Sequence, residues 1–212
     1  DINLGSETDL IILSGPNASG KSCYLRQIGL LQIMSQIGSW IPAKAASIGI
    51  ADQVFTRVGA VDDLAAGQST FMVEMIETAT ICNNATKDSL ILLDEVGRGT
   101  STFDGVSIAA AVSEYLINTI KARTLFATHY HELTSLSEKY KEIKNVSMEI
   151  SECNKELVFS YKLIPGTTKK SYGVQVAKMA GLPNEVTIKA QHWLEKFEDD
   201  FSSSKHVQLS LL

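Results

Sequence analysis

Short apolar segments alternate with longer helix-like stretches along most of the chain. Three of these segments, Leu10 to Leu13, Leu90 to Leu93 and Thr124 to Ala127, have the length of buried strands. Unbroken apolar runs of this kind are typical of strands that are covered on both faces, as in a parallel sheet. The pattern therefore predicts an α/β fold with a largely parallel sheet.

The pattern changes after about Ser171, where two short helices are predicted. The first, Tyr172 to Ala180, ends at Gly181, and Pro183 opens a second that runs to about Glu198. An apolar stripe along the second helix is formed by Val186, Ala190, Trp193 and Phe197. These side chains are too bulky to leave in water, so the stripe needs a partner surface.

Composition limits the range of functions. The 212 residues are 44% hydrophobic, enough for one core, and the net charge of -5 argues against a surface that grips DNA by itself. The three cysteines have no CxxC spacing, which favours a reducing cytoplasm over a zinc or disulfide framework. No membrane span or export signal is visible. Because Asp1 is not a methionine, we expect an excised C-terminal region of a longer protein.

A glycine-rich segment follows the first predicted strand and precedes a helix that begins near Lys21. It fits the pattern G-x-x-x-x-G-K-[ST] with Gly15, Pro16, Asn17, Ala18, Ser19, Gly20, Lys21 and Ser22. Glycines let the backbone amides and the helix N-terminus approach phosphate oxygens closely. Lys21 is expected to bridge the β- and γ-phosphates, and Ser22 Oγ to bind Mg²⁺. The motif predicts a P-loop that takes ATP and Mg²⁺.

Two carboxylates end the second predicted strand. Asp94 is expected to bind the metal through water, and Glu95 to polarise the attacking water. Taken alone, paired acids at a strand end are often solvated turn residues, but the P-loop favours the catalytic interpretation.

His129 follows the third predicted strand and should lie on the same sheet edge as Asp94, where it can reach the γ-phosphate or the attacking water. His131 completes a His-x-His pair that could suggest zinc. Two residues fall short of a zinc ligand set.

Ser69 follows Gly67 and Gln68 and precedes an amphipathic stretch, Phe71 to Cys82. It is a plausible N-cap whose open amides could meet an anion, and a simple cap without a ligand is the alternative.

In this order, the motifs resemble the ATPase domain of the MutS family of DNA mismatch-repair proteins, over essentially the whole chain. The segments that carry the resemblance are Gly15–Ser22, Phe55–Ala60, Asp62–Met75, Leu93–Gly105, Ala127–Leu133 and Lys170–Gly173. Cys23 and Ala18 depart from residues that are frequent in the family, Thr and Met, at positions that bind neither metal nor phosphate.

The resemblance implies a P-loop NTPase fold of the ABC-type ATPase superfamily and a composite ATP site across a homodimer. One subunit would offer the P-loop, Asp94, Glu95 and His129, and the other would offer Ser69 in trans. Asn17 would contact the nucleotide or the partner, and Gly97 to Asp104 would couple the two sites. DNA would be bound by domains missing from this chain, and a MutL-type protein would act downstream in a bacterial, nucleoid-associated setting.

Two other interpretations differ in testable features. The nucleotide-binding subunit of a transporter would carry a Leu-Ser-Gly-Gly-Gln-like signature, where this chain has Leu64 to Gln68. A nonenzymatic interaction module would not need Glu95. A DNA-binding role for the C-terminal helices, suggested by Lys169 and Lys170, is less favoured than dimer packing because basic residues are few and the stripe needs burial.

The chain thus divides into a P-loop ATPase domain (1–170), a helix-turn-helix dimerisation element (171–198), a flexible linker (199–207) and a terminal peptide (208–212). The peptide Gln208-Leu-Ser-Leu-Leu212 resembles the segments by which bacterial replication proteins bind the sliding clamp, with Leu212 replacing an aromatic. A frayed terminus is the alternative.

Overall fold

A six-stranded sheet forms the centre of the computed structural model. Its strands are β1 (Leu10–Ser14), β2 (Val54–Arg57), β3 (Leu90–Asp94), β4 (Arg123–Ala127), β5 (Ile143–Cys153) and β6 (Glu156–Pro165), in the order β2-β3-β4-β1-β5-β6. The first five are parallel, and β6 pairs antiparallel with β5. The predicted α/β fold with a largely parallel sheet is confirmed.

The structure describes residues 1–5, 7–58, 69–153, 156–167 and 172–209, with the backbone alone for 152, 153, 156 and 198–209. The helices are α1 (Lys21–Gln36), α2 (Thr70–Asn84), α3 (Thr102–Tyr115), α4 (Leu136–Lys139), α5 (Gly173–Met179) and α6 (Asn184–Leu209). A π-helical turn, Leu116–Ile120, extends α3, and a 3-10 turn, His131–Ser135, precedes α4.

Each central strand supplies side chains to two hydrophobic layers, because successive residues of a strand point to opposite faces. Ile12, Leu93 and Phe126 pack in a cluster that includes Ala109 of α3. On the other face, Leu13, Leu92 and Leu125 pack with Leu25 of α1. Burial on both faces explains why the three strands appear in the sequence as continuous apolar runs.

Helix α1 lies close against the sheet because it carries a glycine at the contact. A Cβ added at Gly29 would stand 2.9 Å from Leu92 Cδ1, so even a methyl group there would force the leucine to move. The helix is thereby anchored at a fixed height above β3. This contact sets where its first residue, Lys21, stands relative to the end of that strand.

The C-terminal helices differ from the prediction at their far end. Helix α6 continues to Leu209, through the segment 199–207 that the sequence predicts as a flexible linker. Nothing between Asn184 and Leu209 breaks a helix, because this stretch contains neither proline nor glycine. Gln208 and Leu209 close the helix, and residues 210–212 of the terminal peptide lie outside the described residues.

Candidate functional site

Three parallel strands end side by side at one edge of the sheet. Ala127 is level with Leu13 on one side and with Asp94 on the other. Beyond these positions the ladder continues for one more bond on each side, since Thr128 N–H donates to Leu13 O at 3.0 Å and Glu95 N–H donates to Ala127 O at 2.8 Å. The segments that carry the P-loop residues, Glu95 and His129 therefore leave the sheet together, as predicted.

The loop between β1 and α1 curls into a concave turn that is specified by its small residues. Gly15 and Gly20 have positive φ angles of 144° and 96°, and a Cβ on Gly15 would stand 3.0 Å from Ser19 Oγ. Ser19 closes the turn by donating from Oγ to Pro16 O at 2.8 Å. Gly20 caps α1 without a side-chain hydrogen bond, so the first amides of the helix are left for another acceptor.

Lys21 is buried inside this loop, with 5% of its side chain exposed. Its Nζ donates to Gly15 O at 2.7 Å and to Pro16 O at 3.1 Å, and lies 3.8 Å from Glu95 Oε1. Burial lowers the pKa of Lys21, while the nearby carboxylates Glu95 and Asp94 act in the opposite direction. The lysine is thus a buried cation, held by main-chain oxygens at the mouth of the loop.

Asn17 and Ala18 form the outer tip of the same loop, and both are exposed. Ala18 has a positive φ of 66°, an angle that few residues other than glycine adopt. The tip is therefore shaped by its backbone, and Asn17 is the polar side chain it presents to solvent.

Asp94 lies beside Ser22, and the pair has the chemistry of a divalent-cation site. Burial raises the pKa of the Asp94 carboxyl, and a hydrogen bond from the Ser22 side chain lowers it. Asp94 Oδ1 is buried and has no hydrogen-bond partner among the described residues. A carboxylate oxygen left in this way is costly unless a cation or water meets it, so Ser22 and Asp94 fit Mg²⁺, which binds few protein oxygens and keeps several waters.

Glu95 is held between two cations. Its Oε2 lies 2.5 Å from Arg98 Nη1, and Oε1 faces Lys21. The residue has a positive φ of 54°, which is uncommon for a glutamate and which points to a backbone constrained by its surroundings. Sequence reasoning missed Arg98 as a partner of this carboxylate, although the i, i+3 spacing of opposite charges was visible.

His129 is exposed at the surface beside these charges. Burial lowers the pKa of its imidazole, Glu95 raises it, and Arg98 and Lys21 lower it further. The ring is therefore neutral at neutral pH and can both donate and accept a hydrogen bond. The described residues contain no group of three or more His, Cys, Asp or Glu that could hold a metal ion.

Ser69 caps α2, as predicted. Its Oγ accepts from Met72 N–H at 3.1 Å, and the residue is exposed. Within the described chain, no hydrogen bond joins Ser69 to the P-loop of the same molecule. Gly67 and Gln68 lie outside the described residues, as do Lys169, Lys170 and Ser171.

A buried network beneath Glu95 is the main feature that sequence reasoning missed. Glu74 of α2 accepts a hydrogen bond from Gly97 N–H, and Tyr130 Oη donates to Gly97 O at 2.8 Å. Arg57 Nη2 lies 3.5 Å from Glu74 Oε2, and Arg57 Nε lies 3.0 Å from Glu77 Oε2. The available signal was a glutamate inside the amphipathic stretch that forms α2.

The segment Gly97 to Asp104 leads from this network into α3. Ser101 caps the helix, accepting from Asp104 N–H at 3.3 Å and donating from Oγ to Asp104 Oδ2 at 2.8 Å. The segment is exposed from Arg98 to Gly99 and again from Ser101 to Asp104. Its polar side chains are available to a neighbouring surface.

Comparison with known proteins agrees with this arrangement. The family model described as MutS domain V matches residues 11–198. The chain is 64% identical over 207 residues to the DNA mismatch repair protein MutS of Prochlorococcus marinus (strain NATL1A), covering 98% of this chain and 22% of that protein. It is 59% identical over 196 residues to the protein of the same name from Synechococcus sp. (strain WH7803), covering 92% of this chain and 22% of the relative.

The chain thus spans about a fifth of the length of these relatives. In the described residues, no helix is both long and apolar enough to cross a membrane. The resemblance inferred from the motifs is confirmed by a match that includes the P-loop segment, both acidic residues, α5 and the part of α6 up to residue 198. The chain belongs to the MutS domain V family.

Proposed function

We propose that this chain binds ATP with Mg²⁺ at the sheet edge and hydrolyses it to ADP and phosphate. The observation that carries the proposal is the convergence of Lys21, Asp94 and Glu95: a loop lysine lies 3.8 Å from one carboxylate, and the neighbouring carboxylate has an unpaired buried oxygen. A P-loop NTPase fold of the ABC type accounts for this arrangement.

When the loop binds ATP, phosphate oxygens replace the main-chain oxygens that now accept hydrogen bonds from Lys21. Amides of Ser19, Gly20 and the first turn of α1 offer donors to phosphate oxygens, and Lys21 Nζ turns from the carbonyls of Gly15 and Pro16 to the β- and γ-phosphates. Ser22 and Asp94 would hold Mg²⁺, which when bound neutralises charge on the same oxygens.

Glu95 acts as the base that polarises the attacking water. It can accept a proton only after it is freed from Arg98, which now lies 2.5 Å away, and Lys21 leaves it when it turns to phosphate. His129, neutral at neutral pH, hydrogen-bonds the water or the γ-phosphate.

The site is completed by a second copy of the chain. Ser69 stands at an exposed helix N-terminus and, among the described residues, makes no hydrogen bond to its own P-loop, which suits a residue that reaches the γ-phosphate bound by the other subunit. Side chains of α5 and α6 that remain exposed, among them Trp193 and Phe197, supply apolar area for a homodimer through the helix-turn-helix element.

The cycle of ATP binding and hydrolysis drives a DNA mismatch-repair protein. The relatives in Prochlorococcus and Synechococcus are named DNA mismatch repair protein MutS, and this chain covers 22% of their length. Because this chain has a net charge of -5, the proposal assigns the DNA contacts to other parts of such a protein. A MutL-type partner responds to the nucleotide state, and the terminal peptide Gln208 to Leu212 binds a sliding clamp.

Two substitutions separate binding from hydrolysis. Lys21→Ala removes the phosphate donor and is expected to raise the Kd for ATP by about tenfold or more, which corresponds to about 1.4 kcal/mol. Glu95→Ala removes the base and is expected to leave ATP bound while kcat falls by about 100-fold or more. Equilibrium binding of a fluorescent ATP analogue and phosphate release at saturating ATP measure the two effects.

Lys44→Ala is the matched control, because Lys44 is an exposed lysine beyond α1. It is expected to match the unsubstituted chain in both measurements. Equal loss of binding in Lys21→Ala and Glu95→Ala would refute the assigned roles. Absence of binding and hydrolysis in the unsubstituted chain would refute the proposed function itself.

A further inference from the structure

Glu74 is a buried carboxylate, and burial of a charged group costs free energy unless the group is paired. Its side chain is 5% exposed and lies on the face of α2 that is turned to the core. Its main-chain carbonyl accepts a hydrogen bond from Thr78 Oγ1. One carboxylate oxygen accepts from Gly97 N–H, and the other lies 3.5 Å from Arg57. A buried carboxylate is tolerated when it is paired and hydrogen-bonded in this way.

Gly97 is held from its other side as well. Tyr130, with 4% of its surface exposed, donates from Oη to Gly97 O at 2.8 Å. Both backbone polar groups of Gly97 are thus fixed by buried side chains, one from α2 and one from the residue next to His129. A loop held at both its donor and its acceptor has little freedom to shift.

Gly97 is packed too closely against its neighbours to carry a side chain. A Cβ on Gly97 would stand 2.5 Å from Gly105 O, and a Cβ on Gly105 would stand 2.2 Å from Tyr130 Oη. Gly97 also has a positive φ of 92°. Because Glu95 is only two residues earlier and is tied by its own N–H to β4, the position of Gly97 limits where the Glu95 carboxylate can stand.

We propose that Glu74 is a positioning residue that fixes Glu95 through Gly97 and thereby links the helix that starts at Ser69 to the catalytic carboxylate of the same subunit. This inference rests on the proposed function. Ser69 caps the N-terminus of α2 and Glu74 lies five residues later, so a shift of α2 when Ser69 meets the nucleotide of the second subunit would be passed to Gly97.

The test replaces Glu74 by alanine in the full chain. The change removes the acceptor of Gly97 N–H, while Arg57 retains its ion pair with Glu77, in which Nε lies 3.0 Å from Oε2. We expect kcat to fall by about tenfold or more, with the Kd for ATP within about threefold of the unsubstituted value, because a displaced base slows the chemical step without changing the phosphate cradle.

Glu77→Ala is the matched control. Glu77 lies on the same helix and contacts the same arginine, but it is half-exposed and makes no hydrogen bond to Gly97 within the described structure. It is expected to keep kcat within about twofold. Loss of kcat in both variants would show that the ion pairs with Arg57, rather than the bond to Gly97, maintain activity, and it would overturn the proposal.

Tyr130→Phe provides a second variant that leaves no cavity and removes only the hydroxyl that holds Gly97 O. It is expected to lower kcat in the same direction, even if Glu74→Ala does not fold. Glu74→Gln keeps an acceptor for Gly97 N–H and is expected to recover most of the kcat lost in Glu74→Ala. Normal kcat in Glu74→Ala, or in Tyr130→Phe when Glu74→Ala is unfolded, would overturn the proposal.

A double-substitution cycle separates positioning from general structure. If Glu74 acts through Glu95, adding Glu74→Ala to Glu95→Gln lowers the single-turnover rate of hydrolysis by less than twofold, because the base is already lost. Fully additive losses would overturn the positioning role. If the unsubstituted chain neither binds nor hydrolyses ATP, the proposed function fails; if it turns over normally and Glu74→Ala matches it, this inference alone fails.

Discussion

Lys21, Asp94 and His129 resist ionisation because the sheet edge that holds them is partly closed to water. Burial lowers the pKa of Lys21 and of His129 and raises the pKa of Asp94, in each case as the largest cause. Opposite charges in the cluster oppose these shifts. An incoming polyphosphate with its metal ion would add charges of both signs, so nucleotide binding and protonation of these side chains are linked.

His129 provides a measurable case of that linkage. Its folded-state pKa lies below the ordinary value of 6.5, so the unfolded chain takes up a proton at a higher pH than the folded chain does. The contribution of His129 to the free energy of unfolding is therefore complete above about pH 6.5 and is lost as the pH falls through the folded-state pKa. His129→Gln is expected to weaken this dependence of the free energy of unfolding on pH. Urea unfolding between about pH 5 and 8 measures the dependence.

Asp94 and other groups titrate in both chains. The effect of His129 is therefore the difference between the two free energies of unfolding. The free energy of unfolding of the unsubstituted chain, minus that of His129→Gln, should decrease as the pH is lowered. Curves that stay parallel over the whole range would contradict a depressed pKa for His129.

At the scale of residues, the sequence predicted those whose role follows from local spacing. The P-loop needs glycines at fixed offsets, so Gly15, Gly20 and Lys21 were recognisable, and Asp94 was found because a buried strand ends there. Glu74 was not found, because its partner is the backbone N–H of Gly97, 23 residues away, and no residue type marks a backbone donor.

At the scale of elements, α2 has a double task. Its N-cap serine stabilises its own helix, and in the proposed dimer the same serine serves the second subunit. Ser69→Ala is expected to reduce the free energy of unfolding by about 0.5 to 2 kcal/mol through loss of the cap. It should lower turnover as well, while ATP binding by an isolated subunit stays nearly normal.

Ser69→Asn separates the two tasks, since asparagine caps a helix as well as serine does. It should restore stability but not turnover. Mixing Ser69→Ala with Lys21→Ala chains leaves one composite site with both defects and the other with neither, so some activity should return, and ATPase activity per chain should rise with protein concentration. Absence of rescue in mixed dimers that demonstrably form would count against a shared site.

The strands that the sequence did not reveal are those at the sides of the sheet. Strand β2 is only four residues long and includes Arg57, and β5 and β6 mix polar with apolar residues because part of each is exposed. A half-exposed strand carries a weaker apolar signal than a strand covered on both faces. The three central strands were predicted to within about one residue for the opposite reason.

At the scale of the whole molecule, large apolar side chains remain exposed in several places, among them the C-terminal helices and the end of α1. Met179, Val186, Trp193 and Phe197 are each about half-exposed, and Trp193 stacks on Phe197 with 5.5 Å between ring centroids. Trp40 is almost fully exposed. These side chains leave apolar area available for contact with another surface.

The far C-terminus can be tested by truncation. A chain that ends at Val207 lacks Gln208 to Leu212 and leaves the sheet edge intact, so it is expected to keep its ATPase activity. It should lose affinity for a bacterial sliding clamp, because Gln208 and the leucines supply the proposed hydrogen bond and apolar contacts. Surface-bound clamp and phosphate release measure the two properties.

Scrambling the last five residues of the full-length chain is the matched control, since it keeps length and composition. Clamp binding that survives both changes, or that is absent from the unsubstituted chain, would reject the peptide as a clamp ligand.

The carbonyls of Gly15 and Pro16 already occupy the ammonium group of Lys21. In the proposed function, a polyphosphate that enters the loop would displace these carbonyls from Lys21, so its affinity would reflect the difference between two sets of hydrogen bonds. Because the two carbonyls pair with the ammonium group, Lys21 is not left as an unpaired buried charge when no nucleotide is bound. In the proposed ATPase cycle, the same carbonyls would take back the ammonium group as product leaves, so they would weaken nucleotide binding and assist product release.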